Sequence, residues 1–431
     1  MNENTRAGAM TLPRYSTKER DRRWELARRV MKEENVDALL IYGEREGTSP
    51  APFSFDTYFT NDRPGAVVVF PRKGEPVSLV PLPTYVGDHF ESSLRGEAVW
   101  IKPENFRVAR HPGGIAEALR EHDLEKSAIG VVGLDPYPPY HLLPILPAVL
   151  GEGLARELPR ATFKPVGHPL ARKMMPQSQE ELSVVRHAAR IGDAIAQAMR
   201  DAALPGAPES FVYAAGVVAA LELGAMPPGM FLWSGRESLA WGPPAWTYRP
   251  QESRRLSEGD MILGEVFVLY GMKETRHPIS IAVGDVNPDF LKAEQVARDS
   301  YESGLDALRP GRRFGDVAKA MLQPIEKAGA APAHPVLCGI NPFGAVSGVT
   351  LAIGEVQGTR RYGLKAEIPP ILDDLEIENG MTFSFEPSCL FGRRGVNLGG
   401  TVVVSGKEPV ELNQLTSRLL HANALSAAST R

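Results

Sequence analysis

Four short apolar runs punctuate the first half of the chain: "DALLIYG", "GAVVVFP", "PVSLVPL" and "AIGVVGL", each bounded by Gly, Pro or charge. Their β-branched content predicts strands. The helical periodicity of "STKERDRRWELARRVMKEENV", with Ser16 or Thr17 as N-cap, and of "GGIAEALREHDL" predicts helices between them. This alternation specifies an α/β domain over residues 16–172.

A second pattern begins after Pro176. "PQSQEELSVVRHAARIGDAIAQAMRDAAL" is a long amphipathic helix with Glu180 and Glu181 near its N-terminus, where carboxylates complement the helix dipole. A second helix, "ESFVYAAGVVAALELG", leads into the Gly/Pro/Trp-rich loop "FLWSGRESLAWGPPAWTYRP". The strands "DMILGEVFVLYG" and "ETRHPISIAVG" come next, then the helices "PDFLKAEQVARDSYESGLDAL" and "FGDVAKAMLQPIEKAG". The strands "GMTFSFEPSCLFG" and "VNLGGTVVVSG" close the series. Helix–helix–strands thus occurs twice, which predicts a duplicated α+β unit over residues 173–421. Residues 1–15 and 422–431 read as mobile termini.

Composition narrows the function classes. A length of 431 residues suits two domains, and 43% hydrophobic with 23% charged residues is a globular balance. A net charge of -4 without a basic stripe argues against a nucleic-acid partner. No apolar run reaches the length of a membrane span, and the start lacks a signal-peptide core. Cys338 and Cys389 form no disulfide framework, which fits a reducing compartment. The expectation is a cytoplasmic protein.

Charged residues on apolar strands carry the candidate chemistry. Glu265 follows Asp260 by five positions, flanked by "MILG" and "VFVLY", and a buried carboxylate there needs a partner. Arg276 lies eleven positions further on, and Glu386 stands just before Pro387 in "GMTFSFEP". His277, next to Arg276 on a strand, faces the opposite side unless a bulge intervenes. It is either a structural histidine or a general base, since imidazole titrates in the useful range. Trp233, Trp241, Trp246 and Tyr248 crowd one loop, as core or as the wall of a pocket. Ser347 has no nucleophile-activating partner at a known spacing and reads as a polar lining residue. Cys389 reads as packing.

"GD-x-x-L-x-E", "SGVTLAIGE", "GMTFSFEP" and "GGTVVVS", in that order, resemble the pita-bread superfamily of methionine aminopeptidase, aminopeptidase P, prolidase and creatinase. The first 170 residues, with "YFTNDRPGAVVVFP", resemble the N-terminal domain of the creatinase and prolidase branch. The resemblance implies an α/β N-terminal domain, a pita-bread C-terminal domain and a homodimer. It also implies five ligands for two metal ions, and here the chain departs. The aspartate positions fall on Glu265 and Arg276, the histidine on Ser347, and the glutamates on Glu386 and Gly399. A second histidine of that segment falls on Gly354. An arginine cannot ligate a metal, so no metal or other cofactor is expected.

Creatinase implies that such a frame can work with protein groups alone. The catalytic histidine of that branch falls on Tyr248, a phenol with a reference pKa near 10 that Arg249 or Arg276 could lower. Arg63 matches an arginine that holds a substrate carboxylate in creatinase-type relatives. The expectation is a metal-independent enzyme cleaving a C–N or similar bond of a small molecule, by hydrolysis or elimination. Tyr248 or His277 would move the proton, with Glu265, Glu386 and Arg276 around the substrate and Arg63, Trp241, Trp246 and Ser347 binding it. A non-catalytic binding protein and a metallopeptidase are the alternatives.

Overall fold

All four apolar runs of the first half form strands of one sheet in the computed structural model, which describes residues 12–43, 54–136, 144–226, 229–237, 241–342, 344–351, 366–406, 408–413 and 415–422. The expectations for residues 1–11 and 423–431, and for Gly354, lie outside the described residues. The first unit runs α1 (Thr17–Glu33), β1 (Ala38–Tyr42), α2 (Phe55–Thr60), β2 (Val67–Pro71), β3 (Val77–Val80), α3 (Pro83–Leu94) and β4 (Phe106–Val108). It continues with α4 (Pro112–Arg120), β5 (Ala128–Val132), α5 (Ala148–Glu157), β6 (Thr162–Pro165) and α6 (Gly167–Met174). The strand order is β4-β3-β2-β1-β5-β6. Edge strands β4 and β6 escape an apolar-run criterion because half their side chains meet solvent.

Two details differ from the expected boundaries. Leu170, Ala171 and Met174 of α6 sit in the core of the first unit, so that unit ends past residue 172. Tyr15, assigned to a mobile terminus, is docked instead: its hydroxyl donates to the Gly271 carbonyl at 3.2 Å and its ring meets Trp100.

The second unit opens with α7 (Gln179–Ala202), whose Ser178 and Glu181 form a reciprocal capping box. It continues with α8 (Glu209–Glu222), β7 (Gly229–Gly235), β8 (Asp260–Tyr270), β9 (Lys273–Val283), α9 (Pro288–Ala307) and α10 (Phe314–Lys327). The remaining strands are β10 (Leu337–Ile340), β11 (Val349–Leu351), β12 (Ala366–Ile368), β13 (Thr382–Phe385), β14 (Ser388–Phe391), β15 (Arg394–Asn397), β16 (Gly400–Ser405), β17 (Glu408–Glu411) and β18 (Leu420–His421). They build two four-stranded sheets, β18-β9-β8-β7 and β10-β13-β16-β17. β7 lies in the stretch read as loop, because its mixed burial blurs the two-residue alternation.

Each sheet covers one face with helices. Ile262, Val266, Val268, Ile279 and Ile281 of the first sheet pack with Ile191, Ile195 and Met199 of α7. Phe383 and Phe385 of the second pack with Ala297, Tyr301, Val317 and Met321 of α9 and α10. The uncovered faces meet, joined where the Arg276 amide donates to Thr401 Oγ1 at 3.0 Å and Asn397 bonds Ser280. This is the pita-bread arrangement, with its charged residues between the sheets.

Candidate active site

Strand parity decides which groups enter this interior. Across the β8–β9 hairpin Glu265 pairs with Pro278 and Phe267 with Arg276, so Glu265, Glu274 and Arg276 share one face. The second sheet contributes Cys338 of β10, directly opposite Ser384 of β13, which in turn lies opposite Thr401. "GMTFSFEPSCLFG" is not one strand: it breaks between β13 and β14, and Glu386 stands at the break with Pro387 behind it.

Arg276 organises the cluster. Its Nε donates to Glu274 Oε1 at 2.7 Å, its Nη1 donates to Glu386 Oε1 at 3.2 Å, and its guanidinium lies over the Phe267 ring. Burial works against its charge, but Glu274 and Glu386 outweigh this and keep it protonated. Asn341 fixes Glu274 by bonding both its backbone N–H and its C=O. Glu386 is raised by burial, with Arg276 opposing the rise.

Glu265 differs from both. It is 4% exposed, and its Oε1 has no hydrogen-bond partner. Burial first, then the charge of Glu386, hold its carboxyl well above the usual range, and Arg276 only partly offsets them. Three carboxylates around one guanidinium cannot all ionise cheaply, and Glu265, with no hydrogen bond at Oε1, is pushed furthest toward its neutral form. The site therefore sets a carboxyl whose burial favours the neutral form beside a paired carboxylate and a fixed cation. The Cys338 thiol is pushed well above its ordinary value by burial and Glu386, which excludes a resting thiolate.

Two proton-transfer candidates lie elsewhere. His277 faces α7, where a Cβ on Gly192 would fall 1.8 Å from its Nε2. Burial alone lowers it to about 3, and its one hydrogen bond is with Thr275, so the structural reading applies and the general-base expectation is corrected. Gly192→Ala is accordingly expected to cost about 1–3 kcal/mol by overpacking, read as a lower urea midpoint; an unchanged midpoint would refute this packing. Tyr248 is 77% exposed beside Tyr213 of α8, on the helical side of the sheet, which corrects its assignment to the cluster.

The expected binding residues scatter as well. The indole N–H of Trp246 donates to Glu209 and its ring meets Tyr213, so it braces α8. Trp233 is half exposed on β7. Trp241 lies in the interior, packed with Leu263 of the Glu265 face and against His334. Ser347 Oγ accepts from the Leu337 amide at 3.2 Å, which ties down β10 and leaves Cys338 to face the cluster. Arg63 is half exposed and paired with Asp88 of α3, not with the carboxylates of the Arg276 cluster. Cys389 is core, as expected. Sequence reasoning missed Glu274, Cys338 and Asn341. The parity of residues 274 and 276 on one strand was a signal for Glu274.

The family resemblance implies two metal ions, and these residues do not fit them. Arg276 is already bonded to two of the three carboxylates, Glu274 and Glu386, and its guanidinium cannot ligate a metal. At Gly399, φ is +139° and a Cβ would lie 1.8 Å from the Phe385 carbonyl oxygen, so a glutamate cannot be accommodated there. Among the described residues no group of three or more His, Cys, Asp or Glu could hold a metal ion.

Comparison with known proteins agrees with the fold. The profile of metallopeptidase family M24 matches residues 183–406. An ectoine hydrolase from Halomonas elongata is 22% identical over 342 residues, covering 75% of this chain and 80% of that protein. Among solved structures, the dipeptidase PepE from Mycobacterium ulcerans superposes with a TM-score of 0.68 at 18% identity, covering 95% of this chain and all of the other. The prolidase from Pyrococcus horikoshii gives 0.67 at 17% identity, covering 91% and 98%. No helix among the described residues is long and apolar enough to cross a membrane. The match over more than half the chain, on a pita-bread fold with its N-terminal unit in place, assigns this protein to metallopeptidase family M24.

Proposed function

We propose that this protein is a metal-independent member of its family that cleaves a C–N or similar bond in a small molecule. The observation that carries this reading is the unpartnered, buried Oε1 of Glu265, on the same face of the hairpin as the guanidinium of Arg276, which stands where the resemblance puts a metal ligand. In the proposed reaction, Glu265 gives its proton to the departing nitrogen. Arg276 stabilises the negative charge that develops on the substrate. Glu386, freed for moments from Arg276, takes a proton either from an attacking water or from the carbon next to the breaking bond. The first route is hydrolysis and the second elimination. A low-dielectric, preorganised pair of this kind is where such charge stabilisation is worth most.

The likeness to an ectoine hydrolase supports a small-molecule substrate over a peptide. Trp241 supplies an apolar wall on the same face. The deciding experiment is elemental analysis of the purified protein, with turnover measured against a panel of small amides, amidines and ureas with and without chelator. Little bound metal and chelator-resistant turnover are expected. Near-stoichiometric manganese, zinc or cobalt, or turnover abolished by chelation, would overturn the reading. Labelled solvent oxygen in the product marks hydrolysis, and its absence marks elimination.

A further inference from the structure

On the other face of the β8–β9 hairpin, between the two units, lies a cavity of about 260 Å³. Its lining includes Arg23, Thr57, Tyr58, Arg63 and Lys273. Strand parity separates it from the carboxylate cluster, since Lys273 points to the helix-covered side and Glu274 to the interior. Nothing in the proposed reaction uses it.

The cavity is built around a buried guanidinium. Arg23, 2% exposed, lies against the rings of Tyr15 and Tyr58, at 4.1 and 4.2 Å. Its Nε donates to Glu19 and its Nη1 to the Tyr58 carbonyl. Its Nη2 makes no hydrogen bond and approaches Glu181 only to 3.6 Å. Lys273 is held by Glu181 and Gln177, and Arg22 by Glu19 and Glu181. Arg22 keeps about a third of its side chain in solvent, so the buried cations here are Arg23 and Lys273, and Glu19 and Glu181 leave Arg23 Nη2 without a hydrogen bond. Asp62, which also lines the cavity, is engaged with His89 and the Arg63 amide. The hydroxyl of Thr57 is likewise buried without a partner. Native interiors seldom leave a guanidinium N–H and a hydroxyl unsatisfied at one cavity.

We propose that this cavity binds a small monoanion, a carboxylate or dihydrogen phosphate, whose oxygens accept from Arg23 Nη2 and Thr57 Oγ1. Arg63, at the mouth and half exposed, admits the anion by exchanging its surface pair with Asp88. A cavity of about 260 Å³ has room for an anion of this size. The bound anion gives Arg23 Nη2 and Thr57 Oγ1 the acceptor they lack at the junction between the units.

The test is calorimetric titration of the full-length protein with sodium acetate and, separately, sodium phosphate, at ionic strength held constant with sodium chloride. A single saturable site is expected for at least one of them. Acetate alone identifies a carboxylate ligand, and phosphate alone a phosphate ligand. Arg23 variants risk misfolding, so Thr57→Val is the diagnostic change: it removes a hydroxyl that bonds nothing in the free protein. It is expected to weaken binding about tenfold or more, the worth of a hydrogen bond to a charged group, with folding intact. Absence of saturable binding by either anion, or equal affinity in Thr57→Val, would overturn the proposal.

Discussion

Glu265→Gln is expected to lower turnover by about 10²–10⁴-fold, the usual contribution of a general acid, while making the protein more stable at neutral and alkaline pH. Both effects come from one proton. The folded-state pKa of Glu265 lies well above its ordinary value of 4.5, because burial and Glu386 penalise the charged form. A raised folded pKa means that the folded state binds more protons than the unfolded one between the two values. The resulting stability is complete below the unfolded pKa and is lost as pH rises through the folded pKa. Glutamine keeps the shape and neutrality of the protonated acid and cannot ionise, so this pH slope disappears. Urea midpoints measured from pH 5 to 9 should therefore fall with pH in the wild type and more gently in the variant. Turnover in the wild type should decline over the same alkaline limb. A variant with wild-type turnover, or two parallel stability profiles, would show that Glu265 is not the protonated acid of this site.

The sequence carried the fold further than it carried the site. Strands β1, β2, β3 and β5 were visible because each is buried on both faces and reads as an uninterrupted apolar run. The order of the four motifs was enough to place the pita-bread unit. Glu265, Arg276 and Glu386 were legible because charge on an apolar strand has no packing explanation. Tyr248 was misplaced for a physical reason: it lies on a loop, where spacing from a motif fixes distance along the chain and not direction in space. Cys338 was hidden because β10 is only four residues long, and the two-residue period cannot be read from so short an element. The unsatisfied atoms of Arg23 and Thr57 lay beyond reach altogether. Their meeting depends on how α1, α2 and a hairpin far along the chain dock.

Arg276→Met is expected to destabilise the protein by about 3–5 kcal/mol, the cost of leaving buried charge without its partner. The side chain is 1% exposed, and its removal strands Glu386 and Glu274 together. Arg276→Lys should not restore the loss, because an ammonium lacks the planar fork that reaches two carboxylates at once. The informative comparison is the double variant Arg276→Met with Glu386→Gln. It replaces the buried pair by neutral groups of similar size, so it should be more stable than Arg276→Met alone, although inactive. Urea unfolding of the wild type, both single variants and the double variant gives the coupling energy of the pair. Coupling near zero would mean that Arg276 and Glu386 are solvated and independent. The electrostatic account of the site, including the proton on Glu265, would then fail with it. A large coupling explains instead why a metal position can hold an arginine: the guanidinium supplies the positive charge that the remaining carboxylates require. Restoring aspartate at 276 would remove that charge without rebuilding a ligand set. Gly399 has no room for the missing glutamate, and Ser347 is committed to the backbone of β10.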